Sequence, residues 1–320
     1  LSYLLAVEEI ARVDASVAVA VSVTNSVCQW PILHFGSEEL KARVLPPLAR
    51  GEALGGIMLT EPNAGSDAAS LRTTYRRDGG CYRLSGSKAW ITNAGVGKTF
   101  VVMATRDSRE GAKGISAFVL DADQPGVIVH PPEKKMGLRS SKTSMVSLEE
   151  AEVPAANLLA EEGLGMRVAL ATLDHSRLGI ATQSLGIGQA AMDAALRYCK
   201  EREQFGKPLF AHQAVAFRLA DMAAELEAAR WLTYHAAWRS ELPGRYTRSS
   251  AEAKLIASET ANRLVAAAVQ LHGGYGYSRE YTVERLYRDV RVTTIYEGTS
   301  EVQRMVIARA LRDLDTTAPV

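Results

Sequence analysis

Three short runs of this chain gather residues able to do chemistry. The first is Leu59-Thr60-Glu61-Pro62-Asn63-Ala64-Gly65-Ser66-Asp67. It is dense in turn formers, hydroxyls and backbone donors, so its main chain could hold a polar ligand. Composition alone favours a surface turn. The second, Gly86 to Ala94, sets Trp90 two residues before Thr92. On a strand, positions i and i+2 share a face. A flat ring beside a hydroxyl suits a flat heteroaromatic cofactor with polar edges, though for this motif alone a core Trp is the default. The third, Ile295-Tyr296-Glu297-Gly298-Thr299-Ser300, places a lone carboxylate between an aromatic residue and a glycine. A carboxylate there can be partly desolvated, which favours its working as a base. It could also be a helix-start carboxylate beside Thr299 and Ser300.

Other motifs lead away from chemistry. Gly186-Ile187-Gly188-Gln189-Ala190-Ala191 matches a relaxed dinucleotide fingerprint. That fingerprint works only after a strand and at the opening of a helix. Here it sits mid-pattern in a long Ala-rich helix, so its glycines are expected to let helices pack closely. Gly97-Lys98-Thr99 resembles the end of a P-loop, but the glycine required five residues earlier is Thr92. His34, His130, His175, His212, His235 and His272 are scattered, with no pair at metal-ligand spacing, so no metal site is expected. No Gly-x-Ser-x-Gly elbow is present.

The elements that must position these runs fall into three regions. From Leu1 to about Glu52 the pattern is helical. Leu4, Leu5, Val7, Ile10 and Val13 recur at helix spacing, and Ser37 is placed to cap a second helix that runs through Leu45. From about Ala53 to Leu158 the helix period disappears. Short runs at Cys81–Leu84, Phe100–Ala104, Ile115–Leu120 and Val127–His130 predict a small antiparallel sheet pair or barrel. From about residue 159 to the end the chain is helical again. Val215, Leu219, Met222, Leu226, Ala229 and Leu232 form the seam of a bundle, with breaks at 206–208, 243–244 and 273–274. The fold class is therefore α+β: N-terminal helices, a central β domain and a C-terminal four-helix-bundle domain.

Net charge is +1, so no global field draws the chain to nucleic acid or an anionic membrane. Cys28, Cys81 and Cys199 are too far apart in sequence for a zinc or redox pair. The apolar run Val17–Val23 reads as too short and too polar to cross a bilayer, and no basic segment precedes it as in a signal peptide.

The three runs, in this order and in this helix–sheet–helix frame, resemble the acyl-CoA dehydrogenase family along essentially the whole chain. The matching segments are Thr60–Asp67, Lys88–Ala94, Asp174–Arg177, Arg202–Leu209, Gln270–Gly276 and Ile295–Arg304. The look is closest to the short-chain, butyryl-CoA branch. The resemblance implies an FAD cofactor. Ile57, Leu59, Thr60, Gly65 and Ser66 would line one side of the flavin. Trp90, Ile91 and Thr92 would cover its ring system, with Thr92 near N5. Arg202, Phe205, Gln213, Gln270, Gly273 and Gly274 would reach the FAD of a neighbouring subunit, while Thr299, Ser300 and Glu301 approach the cofactor. Substrate contacts would come from Ser66, Asp174, His175, Ser176, Arg177 and Gly298.

In this resemblance Glu297 is the catalytic base. It removes the thioester α-proton while flavin N5 accepts hydride from the β-carbon, giving the trans-2-enoyl-CoA. The thioester carbonyl would be polarised by the base residue's own N–H and a ribityl hydroxyl. Some branches place the base on the helix carrying Arg177, where this chain has Ser176, which cannot serve. Implied partners are a short-chain acyl-CoA, an electron-transfer flavoprotein and further copies of the chain, as homodimer or homotetramer, with no nucleic acid and no membrane insertion. The setting would be a bacterial cytoplasm or a mitochondrial matrix. An acyl-CoA oxidase and a catalytically impaired acyl-CoA- or FAD-binding protein are the alternatives. The chain opens on Leu1-Ser2-Tyr3. Family members carry further helices ahead of that point, which help roof the acyl pocket.

Overall fold

In the computed structural model the described residues are 1–313. They form two compact units, one of residues 1–19, 136–138 and from Arg177 onward, the other of residues 20–135 and 139–176.

Helix α1 (Ser2–Val13) buries Leu4, Val7, Glu8 and Ala11, a stripe at helix spacing. Asp14 leaves that helix, and its carboxylate accepts from Ser16 N at 2.7 Å and Val17 N at 3.2 Å, capping α2 (Ala15–Val23). The helical run outlasts the apolar stretch that ends at Val23. It continues through a π-helical turn, Thr24–Gln29, into α3 (Trp30–Phe35). Thr24 and Ser26 do not break it because their hydroxyls donate to carbonyls one turn back, Ala20 O at 2.9 Å and Ser22 O at 2.7 Å. By length and composition alone the 21 residues Ala15–Phe35 could cross a membrane, a test that a buried core helix passes equally. Cys28 and Ile32 of this run are buried among residues of the sheet. Helix α4 (Glu38–Ala49) starts on Ser37, whose hydroxyl accepts from Leu40 N at 3.2 Å. It extends past Leu45 because Pro46 and Pro47 turn their carbonyls to Arg50 N (3.0 Å) and Glu52 N (2.9 Å), closing the last turn.

The strands are β1 (Gly55–Met58), β2 (Thr74–Asp78), β3 (Cys81–Thr92), β4 (Thr99–Thr105), β5 (Ile115–Asp121), β6 (Val127–Pro132), β7 (Thr143–Pro154) and β8 (Leu158–Leu159). They make one connected sheet in the order β6-β7-β3-β2-β4-β5-β8, with β1 alongside β4. Most pairings are antiparallel. β1 runs parallel to β4, and Thr74 of β2 makes one parallel bridge to Thr105. A loop and the β2–β3 hairpin separate β1 from β4, so no tight turn forces them antiparallel. β4 and β5 are buried on both faces. Phe100, Val102, Phe118 and Leu120 join Leu84 and Ile91 on one side. Val101, Met103, Ile115 and Ala117 meet Cys28, Ile32, Leu40 and Leu48 on the other. This double burial is why those two strands read as continuous apolar runs rather than as alternation.

Helix α5 (Gly165–Glu201) is one 37-residue helix, and the division between the units falls within it. A short hairpin, β9 (Glu203–Gln204) and β10 (Lys207–Pro208), leads to α6 (Gln213–Glu241), α7 (Thr247–His272), α8 (Thr282–Val290) and α9 (Ser300–Arg312). Gly186 and Gly188 are packing glycines. A Cβ on Gly186 would lie 2.3 Å from Glu8 O, and one on Gly188 3.3 Å from the Leu226 side chain. Helices α1 and α6 approach α5 there because nothing protrudes. On α6 the predicted seam holds at Leu219, Met222, Leu226 and Ala229, whereas Val215 and Leu232 are half-buried. Thr233 takes the next inward position, its hydroxyl donating to Ala229 O at 2.9 Å.

Candidate active site

Glu297 lies between a 3₁₀ turn (Arg291–Thr294) and the start of α9. The cap of α9 is Thr299, whose hydroxyl accepts from Val302 N at 3.3 Å, and the first-turn acid is Glu301. Glu301's own backbone N–H and the Thr299 hydroxyl hold that carboxyl below its usual pKa. The N-cap position of α9 is therefore Thr299, two residues after Glu297. Glu297 instead adopts a left-handed backbone, φ +51°, followed by Gly298 at +92°. For a non-glycine residue this costs on the order of 1–3 kcal/mol and persists only where neighbours over-determine it. Two side chains do so. Gln303 Nε2 donates to Gly298 O at 2.8 Å and Glu297 O at 3.3 Å. Lys254 Nζ donates to Gly298 O at 2.8 Å.

Lys254 sits on the buried stripe of α7 among Ala251, Ala257, Ser258 and Ala261. Burial pulls its pKa down to about 8, opposed by the charge of Glu297 and reinforced by that of Arg177. Glu297, Arg177 and Lys254 therefore share one electrostatic neighbourhood. Beside them, the Tyr296 hydroxyl donates to Gln183 Oε1, and Gln183 Nε2 in turn donates to Ala15 O at 2.8 Å. Burial, with the neighbouring Glu297 charge, pushes the Tyr296 phenol well above its ordinary pKa, so it stays protonated.

Of the segment 174–177, Asp174 and His175 are half-buried and Ser176 and Arg177 are buried. Ser176 Oγ donates to Leu173 O at 3.3 Å, within its own helix. The His175 ring stacks on Trp30 with centroids 5.1 Å apart, and Trp30 stacks on His34 at 4.1 Å. Burial, followed by the His34 charge, pulls His175 down to about 4.

The two upstream runs are joined in the sheet unit. Lys88 Nζ donates to Glu61 Oε1 at 2.7 Å and Leu59 O at 3.3 Å, and Ala89 N donates to Thr60 O at 2.9 Å. Burial lowers Lys88 to about 8 against the pull of Glu61. Burial alone would raise Glu61, but the Lys88 ammonium, with the Thr73 and Arg72 donors, outweighs it and holds the carboxyl below its usual value. β3 slips register between Lys88 and Ile91, and Trp90 there has φ +61° and stands 62% exposed. The bulge re-aims the ring outward, so Trp90 is not a core residue. Ile91 is buried and Thr92 half-buried, as are Ile57, Leu59 and Thr60, while Gly65 and Ser66 are exposed.

Arg202, Phe205, Gln213, Gln270, Gly273 and Gly274 are all exposed. The Arg202 guanidinium lies 5.6 Å from the centre of the Tyr275 ring, beside the Gly273-Gly274 turn. Phe205 is 96% exposed and left-handed, with φ +56°. The described residues thus bring together 59–61 with 88–89, Glu297 and Arg177 around Lys254, and Arg202 with Tyr275 next to the 273–274 turn. The sequence reading missed Glu61 and Lys88 as a pair, and Gln183, Lys254 and Gln303 altogether. For Lys254 a signal existed, since a lysine at the inward position of an Ala-rich helix is costly unless it has a task.

Residues 1–52, 56–151 and 163–312 match the N-terminal, middle and C-terminal domains of acyl-CoA dehydrogenase, respectively. The chain is 48% identical to the short-chain-specific acyl-CoA dehydrogenase of Megasphaera elsdenii, over 97% of its own length and 82% of that protein. It superposes on the butyryl-CoA dehydrogenase structure from Megasphaera elsdenii with a TM-score of 0.96 at 47% identity, covering 97% of this chain and 82% of that one. A chain in a structure of the electron transferring flavoprotein of Acidaminococcus fermentans also matches at TM-score 0.96 and 45% identity, over 98% of this chain and 82% of that one.

Proposed function

The chain belongs to the acyl-CoA dehydrogenase family, and on that premise we propose how its residues divide the reaction. It is an FAD-dependent oxidoreductase acting on acyl-CoA thioesters. Bound FAD supplies the two-electron acceptor for the hydrogen that leaves the β-carbon. The residues present suit such a group. Trp90 offers an exposed flat ring. Gly273 and Gly274 leave open space where a Cβ would stand. Ser300 Oγ and Gln303 Oε1 are buried without a hydrogen-bond partner among the described residues.

Glu297 is the base that takes the α-proton, and its backbone N–H polarises the thioester carbonyl as enolate charge develops. Arg177 and Asp174 hold the acyl-CoA, with Ser66. Ile57, Leu59, Thr60, Gly65, Trp90, Ile91, Thr92, Thr299, Ser300 and Glu301 hold the cofactor. Arg202, Phe205, Gln213, Gln270, Gly273 and Gly274 serve the cofactor of a second copy in a homodimer or homotetramer; their common exposure supports this. The substrate is a short-chain acyl-CoA and the electron acceptor an electron-transfer flavoprotein. One observation carries the assignment of the base: the left-handed Glu297–Gly298 backbone is held by buried side chains bonded to the Glu297 and Gly298 carbonyls.

The test is anaerobic titration of the FAD-loaded protein with acyl-CoAs of increasing length. Bleaching of the flavin, strongest at four carbons, is expected. Absence of bleaching at every length would sink the reading. Peroxide formed in air without an added acceptor would instead favour the oxidase.

A further inference from the structure

We propose that Lys254 and Gln303 are positioning residues for the reaction, a two-armed clamp that holds the Glu297–Gly298 backbone in its left-handed turn. The inference rests on Glu297 being the base. Each arm comes from a different helix, Lys254 from α7 and Gln303 from α9, and both converge on Gly298 O at 2.8 Å. Gln303 also reaches Glu297 O. Both side chains are completely buried. A buried ammonium is costly, and this one is directed at a backbone carbonyl. An apolar side chain would fill the Ala-rich seam of α7 at less cost, so folding alone does not call for a lysine at 254.

The clamp explains how Gly298 is tied to its surroundings. A Cβ there would lie 2.6 Å from Gln303 Nε2, inside the clamp itself. Lys254 also brings charge. The groups facing its ammonium are Glu297 and Glu301 from the turn and the start of α9, Arg177 from α5 and Glu259 from its own helix. The cation favours the anionic form of a nearby carboxylate, so it bears on the pH at which the base is ready, whereas the uncharged Gln303 arm does not.

The experiment compares FAD-loaded Lys254→Met, Lys254→Arg, Gln303→Leu and Glu297→Gln. The readouts are flavin content, the rate of flavin bleaching by saturating butyryl-CoA, substrate affinity and the rate–pH profile. Lys254→Met is expected to keep flavin and substrate affinity, to lose on the order of 10²-fold in rate, and to move the acid limb of the profile to higher pH. Lys254→Arg should recover much of the rate and return the limb. Gln303→Leu should lose rate with the limb in place. A Lys254→Met enzyme with normal rate and unmoved limb, beside an inactive Glu297→Gln, would overturn the clamp alone. Normal bleaching by Glu297→Gln would remove the base assignment and the clamp with it. If Lys254→Met does not fold, Gln303→Leu decides: an unchanged rate refutes the clamp and a slowed one upholds it.

Discussion

The Glu61 carboxylate meets the Lys88 ammonium at 2.7 Å with both side chains almost fully withdrawn from water. One lies on the turn-rich loop after β1 and the other on β3, so this ion pair fastens the loop to the strand carrying Trp90 and Thr92. Two further donors, Arg72 N at 2.6 Å and Thr73 N at 2.9 Å, complete the coordination of the carboxylate. Glu61→Gln strands the ammonium and is expected to cost about 3–5 kcal/mol, read as a lower urea midpoint, with weakened FAD binding. An unchanged midpoint would mean that the pair does not hold the loop.

Glu297→Gln should fold, retain yellow FAD and lose flavin reduction by butyryl-CoA on the order of 10³-fold. Stopped-flow absorbance under anaerobic conditions measures it directly. A loss confined to substrate affinity would point to a binding role for this side chain.

Trp90→Ala separates a cofactor platform from a core aromatic. The ring is exposed and its backbone left-handed, so stability should change by less than about 0.5 kcal/mol. FAD affinity should fall about 3–10-fold, the value of a stacking contact. A large drop in thermal midpoint of the apoprotein would contradict the exposure.

The stacked His175 contributes an acid sensitivity whose sign follows from its lowered pKa of about 4. Between about pH 4 and the ordinary histidine value near 6.5, the unfolded chain binds a proton that the folded one does not. Its contribution is therefore complete above that window and is lost as pH falls through it. His175→Phe, which keeps the stack on Trp30, should flatten the stability profile between those limits. A profile as steep as that of the parent would show that other groups carry it.

Gly186→Ala places a methyl against Glu8 O, where an added Cβ would lie 2.3 Å away. Separation of α1 from α5 should cost about 1–3 kcal/mol. The same change at exposed Gly274, where an added Cβ would meet nothing within 4 Å among the described residues beyond its chain neighbours, should be far milder. Chemical denaturation of the two variants gives the comparison.

Periodicity and capping chemistry were legible wherever the neighbours are local. Ser37, the α6 seam from Leu219 to Ala229 and the packing role of Gly186 and Gly188 all follow from positions a few residues apart. Interactions across distant segments were not. Glu61 and Lys88 are 27 residues apart, and nothing in either local pattern says that an acidic turn residue and a strand lysine will be buried together. The π-helical turn that joins α2 to α3 was not legible either, because it depends on which carbonyls the Thr24 and Ser26 hydroxyls bond. The parallel pairing of β1 depends on which strand it meets, which no local spacing encodes. Glu297, Trp90 and Thr92 were named from types and order, but the left-handed backbones that single out the first two require φ angles.

Those backbones carry a lesson for anyone who would redesign this protein. At 90, 205 and 297 the residue that relaxes the main chain is glycine, which takes such angles without steric cost. Side chains exposed as far as Trp90 and Phe205 offer little burial in return. A sequence optimised for thermal endurance alone would write glycine at all three positions, and its melting temperature would reward the choice. It would also discard two rings and a carboxylate assigned to the cofactor and the substrate. Places where the chain is visibly ill-suited to standing still are therefore the ones a stabilisation campaign should leave alone.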